Sequence, residues 1–286
     1  MRHGIIALDI DGTLTDDTHH IHPLVIDYLT QLHNEGWSLI FITGRTFTWG
    51  YRSLQGLPCP YHLSVQNGAI LLEMPSKKVL SRKYIDAAIL PVMEHICEGE
   101  PTDYVIYGGI EDADACYYRP EKFAPELLTY VQARCKHLDE VWQPVKSFET
   151  LATQQYPSIK CFGLLPSIER ISARIESELG LNAPPIRDPF KADHYVAQAT
   201  HPFVNKGYAL QDFARSFSEA PKCIIAAGDD NNDRSMLAVA TIKIAMANAP
   251  RDMLVDADVI APPASQNGIL TGLRHAIALA KGMGVG

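Results

Sequence analysis

The chain has 286 residues, of which 47% are hydrophobic and 20% charged, and its formal net charge is −8 at pH 7. These proportions are typical of a globular protein with one large domain or two ordinary ones. The negative charge argues against non-specific nucleic-acid binding, because no basic surplus is available to displace counterions from phosphates. No apolar stretch approaches the roughly 18 residues that a membrane helix requires, and the apolar run near the N-terminus is too short for a signal peptide.

The six cysteines are scattered along the chain and include no C-x-x-C pair. This spacing favours reduced thiols over a disulfide framework or a zinc site. Together with the missing membrane signal, it predicts a cytoplasmic protein.

The first eighty residues alternate apolar runs of strand length with amphipathic helical patterns. Residues 5–8 predict a buried strand, and a helix is predicted from Pro23, a residue suited to the first helical turn. Gly36 stands where that helix would end. Two further strand-like runs follow, in SLIFITGR and HLSVQNGAILL.

The middle of the chain, residues 82–192, has a different pattern. Strands are predicted in YVIYG, ACYYR and IKCFGLL, and helices over 124–138 and 167–179. The first two strands follow each other closely, which indicates an antiparallel hairpin, and Asp112 and Asp114 between them are expected to be solvated. We interpret residues 82–192 as an α+β insertion into a domain formed by residues 1–81 and 193–286.

The alternating pattern resumes in the last third of the chain. A helix is predicted over 206–217, then a strand in CIIAA that leads into GDDNND, and a helix through Met236 and Leu237. Strands in IKIAMANA and DVIA and a final helix over 269–280 complete it. Continuous apolar strands that alternate with helices predict an α/β fold, with a parallel sheet covered on both faces.

Three of the apolar runs end in polar residues of reactive type. Asp9 and Asp11 follow the first run, Thr43-Gly44-Arg45 the second, and GDDNND a late one. Ligands of an open parallel sheet bind beyond the carboxyl ends of its strands, so these distant segments are expected to converge on one crevice.

The charge of this crevice indicates a cation. Asp9, Asp11 and Asp229 would repel one another in a partly desolvated site, and oxygen ligands without thiols or paired imidazoles favour Mg²⁺. The Thr43 hydroxyl, backbone amides near Gly44 and the Lys206 ammonium would then suit phosphoryl oxygens.

Four segments, DIDGTLTDD, ITGR, NKGYAL and GDDNND, together resemble the four motifs of the haloacid dehalogenase (HAD) superfamily of phosphotransferases. QNGAIL at residues 66–71, with an insertion after the second motif, resembles the Cof-type sugar-phosphatase branch. The resemblance implies a Rossmann-like parallel-sheet core, with the insertion forming a cap that selects the substrate. It also implies a Mg²⁺-dependent phosphatase acting on a small phosphorylated metabolite, such as a sugar phosphate, through an aspartyl-phosphate intermediate.

The resemblance also assigns roles to individual residues. Asp9 corresponds to the nucleophile that takes the phosphoryl group. Asp11 corresponds to the general acid and base, and its backbone carbonyl would help Asp9 and Asp229 to hold Mg²⁺. The remaining residues bind the phosphoryl group or substrate (Thr43, Gly44, Lys206 and Asn232) or support the site (Arg45, Asp230 and Asp233).

Alternative interpretations remain open for the activity and for several residues. A phosphomutase would use the same nucleophile, and a ligand-binding protein could keep the fold without turnover. Lys206 could simply begin a helix, and His19, His20 and His22 are more typical of a solvated loop than of a metal site. Four tyrosines in the insertion could stack on a sugar, although packing is the commoner role of strand aromatics: Tyr104, Tyr107, Tyr117 and Tyr118.

Overall fold

The computed structural model describes residues 3–16, 20–138, 140–151, 154–188 and 190–285. No helix within these ranges is both long and apolar enough to cross a bilayer. All six cysteines lie in the described ranges, and no disulfide joins them.

Strands and α-helices are both numbered in chain order within these ranges. The strands are β1 (Gly4–Leu8), β2 (Trp37–Ile42), β3 (Tyr61–Val65), β4 (Ile70–Met74), β5 (Lys78–Arg82), β6 (Ile85–Asp86), β7 (Tyr104–Tyr107), β8 (Cys116–Tyr118), β9 (Trp142–Pro144), β10 (Gln155–Tyr156), β11 (Ser158–Leu164), β12 (Pro185–Arg187), β13 (His194–Ala199), β14 (Ile224–Gly228), β15 (Ile242–Met246) and β16 (Val259–Ala261). The α-helices are α1 (Pro23–Asn34), α2 (Phe47–Leu54), α3 (Leu90–Cys97), α4 (Pro125–Leu138), α5 (Leu165–Leu179), α6 (Lys206–Arg215), α7 (Arg234–Val239), α8 (Arg251–Asp256) and α9 (Gly268–Gly282).

The chain divides into two compact units. The first comprises Met1–Thr43, Gly50–Ser81 and Asn205–Gly286, and the second comprises Gly44–Trp49 and Arg82–Val204. The second unit is therefore built from one long segment and from six residues that directly follow Thr43.

An eight-stranded sheet runs through the first unit in the order β16-β15-β14-β1-β2-β3-β4-β5. The strands from β16 to β3 are parallel, and β4 returns antiparallel to β3. In the central register, Ile6 of β1 lies opposite Leu39 of β2 and Ile225 of β14. The α/β class and the parallel-sheet core predicted from the sequence are confirmed.

Helices cover the first unit's sheet, which explains why its central strands are apolar along their whole length. Ile5 and Ala7 pack in a cluster with residues of α6, α7 and α8. The alternate residues Ile6 and Leu8 are equally buried, and α1 packs on β2 while α9 packs on β15 and β16. In a strand buried on both faces, successive side chains all enter an apolar core, so its sequence is a continuous apolar run.

The second unit contains a mostly antiparallel sheet with helices, in which β8 and β9 pair parallel, and its α+β character agrees with the prediction from the sequence. Six strands lie in the order β12-β13-β11-β7-β8-β9, and β7 and β8 form the expected antiparallel pair. Alternate residues of β7 and β11 pack into two separate clusters, one with α3 and α5 and the other with α4. This period of two places the helices on opposite faces of the sheet.

The second unit extends beyond the predicted end of the insertion at residue 192. It includes β13, which pairs antiparallel with β11 from Ile159–Ala199 to Leu164–His194. The segment DHYVAQAT mixes polar and apolar residues, so the sequence carries no apolar run to mark this strand.

One expectation about a side chain in the second unit is wrong, that for Asp114, whereas the packing role favoured for the tyrosines is supported. Asp114 is buried rather than solvated, because its carboxylate accepts hydrogen bonds from the Thr48 amide and hydroxyl at 2.6 and 2.7 Å. Tyr104, Tyr107 and Tyr118 are also buried, which supports packing and not an exposed sugar platform.

Candidate active site

The candidate site lies in the first unit, at the carboxyl ends of neighbouring parallel strands. Asp9 directly follows β1, Thr43 follows β2 and Asp229 follows β14, and β1 lies between the other two strands. The Asp9 amide continues the ladder by donating to the Ala227 carbonyl at 3.1 Å. The predicted convergence of these segments is thus present in the fold.

Lys206 links two acids of the site. It begins α6 and is buried, and its ammonium donates hydrogen bonds to Asp9 Oδ1 and, at 2.6 Å, to Asp233 Oδ1. Helix capping at this point is performed by the neighbouring Asn205, whose side chain accepts from the Tyr208 amide at 2.8 Å. Lys206 is therefore more than a helix-start residue, because its charge is directed at two carboxylates.

Asp233 orders the loop after β14. Its Oδ2 accepts from the amides of Asp229 and Asp230 at 2.9 and 3.1 Å, while Oδ1 accepts from Lys206. Asp230 in turn accepts from the Asn231 amide at 2.8 Å. Both oxygens of Asp233 are thus engaged by protein donors, which suits the supporting position predicted for it.

The site carries more negative charge than one lysine balances. Burial, followed by the charge of Asp233, raises the pKa of Asp9 to about 8, although Lys206 opposes this. Burial also raises the pKa of Asp229 well above its ordinary value, with Asp233 and Asp9 adding to the effect. Burial disfavours the Lys206 ammonium, but Asp233 and Asp9 outweigh burial and raise its pKa.

The donor set fits a small hard cation. Carboxylate oxygens of Asp9, Asp229 and Asp233 lie within 4.8 Å of one another. A Cβ on Gly12 would lie 2.3 Å from Asp229 Oδ2, so the absence of a side chain lets the loop after β1 approach this carboxylate. Since both oxygens of Asp233 already accept from protein donors, Asp9 and Asp229 are the acids better able to hold Mg²⁺.

Asp11 lies beside this group without belonging to its carboxylate cluster. It is partly exposed, and its charge contributes to the raised pKa of Asp9. The backbone here turns sharply, with Gly12 at φ 74° and its amide donating to the Thr15 carbonyl at 2.9 Å. The metal contact predicted for Asp11 is made by its main-chain carbonyl. The carboxylate cluster consists of side-chain oxygens only, so it does not test this prediction.

Thr43 and Asn232 are connected through Asn67. Thr43 is buried; its amide donates to the Ser64 carbonyl at 2.9 Å, and its carbonyl accepts from the Asn67 amide at 2.8 Å. The Asn67 side-chain oxygen accepts from Asn232 Nδ2 at 3.1 Å. The loops after β2, β3 and β14 are thus joined by hydrogen bonds.

Gly44 and Arg45 continue from Thr43 but belong to the second unit. Arg45 is buried, and its guanidinium carbon lies 4.2 Å from the centroid of the Trp49 ring. Among the three histidines of the early loop, His22 accepts from the Leu24 amide at 3.2 Å and caps α1. His20 is exposed, and His19 lies outside the described residues.

Two asparagines of the site were not predicted from the sequence. Asn248, in MANA after β15, donates to Asp229 Oδ2 at 3.0 Å. Asn67 adopts φ 56° in a short turn between β3 and β4. The available signals were the Asn-Gly pair of QNGAIL, which favours a left-handed turn, and the position of MANA at a strand end.

Comparisons with known proteins agree with this geometry. A family model described as haloacid dehalogenase-like hydrolase matches residues 6–273. A pyridoxal phosphate phosphatase of Escherichia coli is 26% identical over 90% of this chain and 92% of its own length. Among solved structures, a haloacid dehalogenase-like hydrolase from Bacteroides thetaiotaomicron has a TM-score of 0.77 at 19% identity, covering 96% of this chain and 99% of its own. A sugar phosphatase of HAD subclass IIB has a TM-score of 0.74 at 22% identity, covering 95% of this chain and 98% of its own.

Proposed function

Because the chain belongs to the haloacid dehalogenase-like hydrolases, in their Cof-type branch, and is a phosphoric monoester hydrolase, we propose that it is a Mg²⁺-dependent phosphatase of a small metabolite. A sugar phosphate is the first candidate substrate. The observation that carries the proposal is the pairing of Lys206 with both Asp9 and Asp233, beside the Asp229 carboxylate. One acid would be enough to neutralise one lysine in a structural ion pair. Here three acids surround Lys206 at the strand ends, and the excess of negative charge suits a cation.

The first half of the reaction transfers the phosphoryl group to the protein. A carboxylate oxygen of Asp9 forms a bond to phosphorus, and the bond between phosphorus and the leaving oxygen breaks. Asp11 gives its proton to that leaving oxygen. Lys206 favours the ionised form of Asp9, which is the form able to attack.

The second half returns Asp9 to its starting form. Asp11, now a carboxylate, accepts a proton from water as the water oxygen bonds to phosphorus. The bond between phosphorus and Asp9 breaks, and inorganic phosphate leaves. Thr43, the Gly44 amide and Lys206 bind the oxygens that stay on phosphorus, and Asn232 contacts the substrate.

Asp9, Asp229 and the main-chain carbonyl of Asp11 would hold Mg²⁺. When bound, Mg²⁺ supplies positive charge for the phosphoryl oxygens. Asn248 keeps the Asp229 carboxylate oriented, and Asp233 orders the backbone of the same loop. Arg45 and Asp230 support the loops that carry these groups.

Selection of the leaving group belongs to the insertion, predicted over residues 82–192 and continuing to Val204 in the second unit, acting as a cap. The motif residues account for the phosphoryl group and leave nothing specific for the rest of the substrate. The insertion follows the second motif and precedes the third, so both of its connections begin near the strand ends. The E. coli relative is named for pyridoxal phosphate and the subclass IIB structure for sugar phosphates, which supports a small phosphate monoester.

The test is a panel of sugar phosphates, pyridoxal phosphate, phosphoglycolate and an aryl phosphate, with inorganic phosphate and organic product both measured. We expect Mg²⁺-dependent phosphate release, lost in Asp9→Asn and kept in Asp27→Asn, which alters an exposed acid of α1. An isomerised sugar phosphate without free phosphate would indicate a phosphomutase. No turnover of any ester by the folded protein would favour a ligand-binding protein and contradict the proposal.

A further inference from the structure

The segment that follows Thr43 is held by a pair of buried side chains of the second unit. Lys160 Nζ and Gln198 Nε2 both donate to the Gly44 carbonyl, at 3.1 and 3.3 Å. Lys160 is 4% exposed and Gln198 is 3% exposed. Two buried donors therefore converge on one backbone oxygen, in the residue next to Thr43.

The register of the sheet places this pair. Lys160 of β11 and Gln198 of β13 are directly opposite in the antiparallel ladder, so their side chains leave the same face. The Lys160 ammonium also lies 4.2 Å from the centroid of the Tyr107 ring. The buried ammonium is thus in contact with a backbone carbonyl and an aromatic ring.

A third contact fixes the other end of the same segment. The buried Asp114 carboxylate accepts from the Thr48 amide and hydroxyl, at the first turn of α2. Residues 44–49 are thus held at Gly44 and at Thr48 by side chains from three separate parts of the second unit. A glycine peptide that could otherwise rotate freely is fixed in one orientation.

The orientation of the Gly44 carbonyl bears on Thr43. The Thr43 amide donates to the Ser64 carbonyl, and the Thr43 carbonyl accepts from the Asn67 amide, which orients the peptide between Thr43 and Gly44. The bonds to the Gly44 carbonyl orient the following peptide plane, between Gly44 and Arg45, so that both peptides of the turn are held; the N–H of this second plane is that of Arg45, and it points away from the carbonyl because the bond is trans. A cationic donor on the carbonyl also polarises this peptide and strengthens its N–H as a donor.

We propose that Lys160 and Gln198 are positioning residues for the phosphoryl group, acting through the Gly44 carbonyl on the turn Thr43-Gly44-Arg45. This rests on the proposed function only in the identity of the ligand, a phosphoryl group. Neither side chain need touch the substrate. Their part is to hold the turn in the geometry that binds phosphate before the substrate arrives.

The first test is kinetic and uses variants of the full chain with an aryl phosphate. Lys160→Met keeps the side-chain length and apolar stem but removes the donor, and we expect kcat to fall about tenfold or more, as for loss of a charged hydrogen bond. Inhibition by orthophosphate should weaken in parallel. Lys160→Arg should recover most of the activity, because a guanidinium can still donate to the carbonyl.

Two further variants separate positioning from general damage. Because Lys160 and Gln198 share one acceptor, Lys160→Met with Gln198→Leu should cost more than the product of the two single effects. Lys83→Met is the matched control, since Lys83 Nζ also lies 3.5 Å from a backbone carbonyl, that of Phe203, at an exposed position. It should leave kcat and orthophosphate inhibition unchanged.

The second test does not depend on turnover. Protein labelled with ¹⁵N-glycine is titrated with Mg²⁺ and orthophosphate, and the Gly44 amide signal is assigned by its loss in Gly44→Ala. We expect the signal to shift in the wild type and to respond much less in Lys160→Met. If the wild type hydrolyses no ester but this shift is seen and depends on Lys160, the proposed function fails and the positioning inference stands. The inference would be overturned by wild-type kinetics in the variant that combines Lys160→Met and Gln198→Leu. It would also be overturned if the Gly44 amide signal of the wild type did not shift on addition of orthophosphate.

Discussion

Replacing Lys206 by methionine separates the two parts that its ammonium plays in the site. The ammonium is buried between Asp9 and Asp233, and methionine has a similar length without the charge or the donors. Breaking a buried ion pair by removing one partner costs roughly 3–5 kcal/mol, because the remaining charge is left buried and uncompensated. At about 2–4 °C per kcal/mol for a chain of this size, the melting temperature should fall by roughly 6–20 °C.

Turnover should fall for a different reason. Lys206 is proposed to bind the transferring phosphoryl group, and loss of one preorganised donor of this kind lowers kcat by roughly 10²–10³. Below the melting temperature of the variant, the two effects can be measured independently. Calorimetry gives the stability, and steady-state hydrolysis of an aryl phosphate gives kcat.

A second substitution distinguishes charge balance from catalysis. In Lys206→Met, the carboxylates of Asp9 and Asp233 lose their buried counter-charge. Adding Asp233→Asn removes one of these two negative charges, while the side-chain amide oxygen can still accept from the Asp229 and Asp230 amides. We expect part of the lost stability to return and turnover to stay low. A folded Lys206→Met protein with turnover and orthophosphate binding within about twofold of wild type, under ~0.5 kcal/mol, would refute the assignment.

Three further predictions concern the metal and the second unit. Chelation should abolish turnover and Mg²⁺ restore it, while Ca²⁺ supports it poorly because its looser coordination misplaces the nucleophile; full activity after exhaustive chelation would contradict this. Asn248→Leu should raise the Mg²⁺ concentration for half-maximal activity about tenfold, because Asp229 loses its orienting partner, and an unchanged Mg²⁺ titration would show that the contact is incidental. Arg187 and Lys191 are exposed cations of the insertion that could meet hydroxyls or a second anionic group of the substrate, so Arg187→Ala and Lys191→Ala should change kcat/KM among sugar phosphates more than for acetyl phosphate; an equal loss for every substrate would argue against a part in selection.

The strand ends were predictable because their chemistry conflicts with their surroundings. A buried apolar run that leads into Asp9 and Asp11 has no structural reason to do so, and GDDNND repeats the pattern at another strand. The rule that parallel strands present their carboxyl ends at one edge then brings distant residues together. The structure places Asp9, Lys206, Asp229 and Asp233 in this way.

Other features depend on contacts that local pattern does not encode. Asp114 lies in a polar hairpin, and its burial arises only because Thr48, far away in the chain, donates to it. Asn67 is placed by a left-handed turn whose partners, Thr43 and Asn232, come from two other loops. Strand β13 is half polar, since Gln198 points at a backbone carbonyl instead of into an apolar core. Its assignment to the second unit therefore required the paired structure.

The measurement that tests the central claim most directly is the location of the phosphoryl group after a single turnover by Asp11→Asn. With acetyl phosphate the leaving group needs no proton, so the first half-reaction should proceed, whereas the second lacks the base that activates water. Acid quenching and mass spectrometry of the peptides should then show one phosphoryl group on Asp9. Phosphate release at the wild-type rate with the Asp9 peptide unmodified, or a phosphoryl group on another residue, would contradict the account.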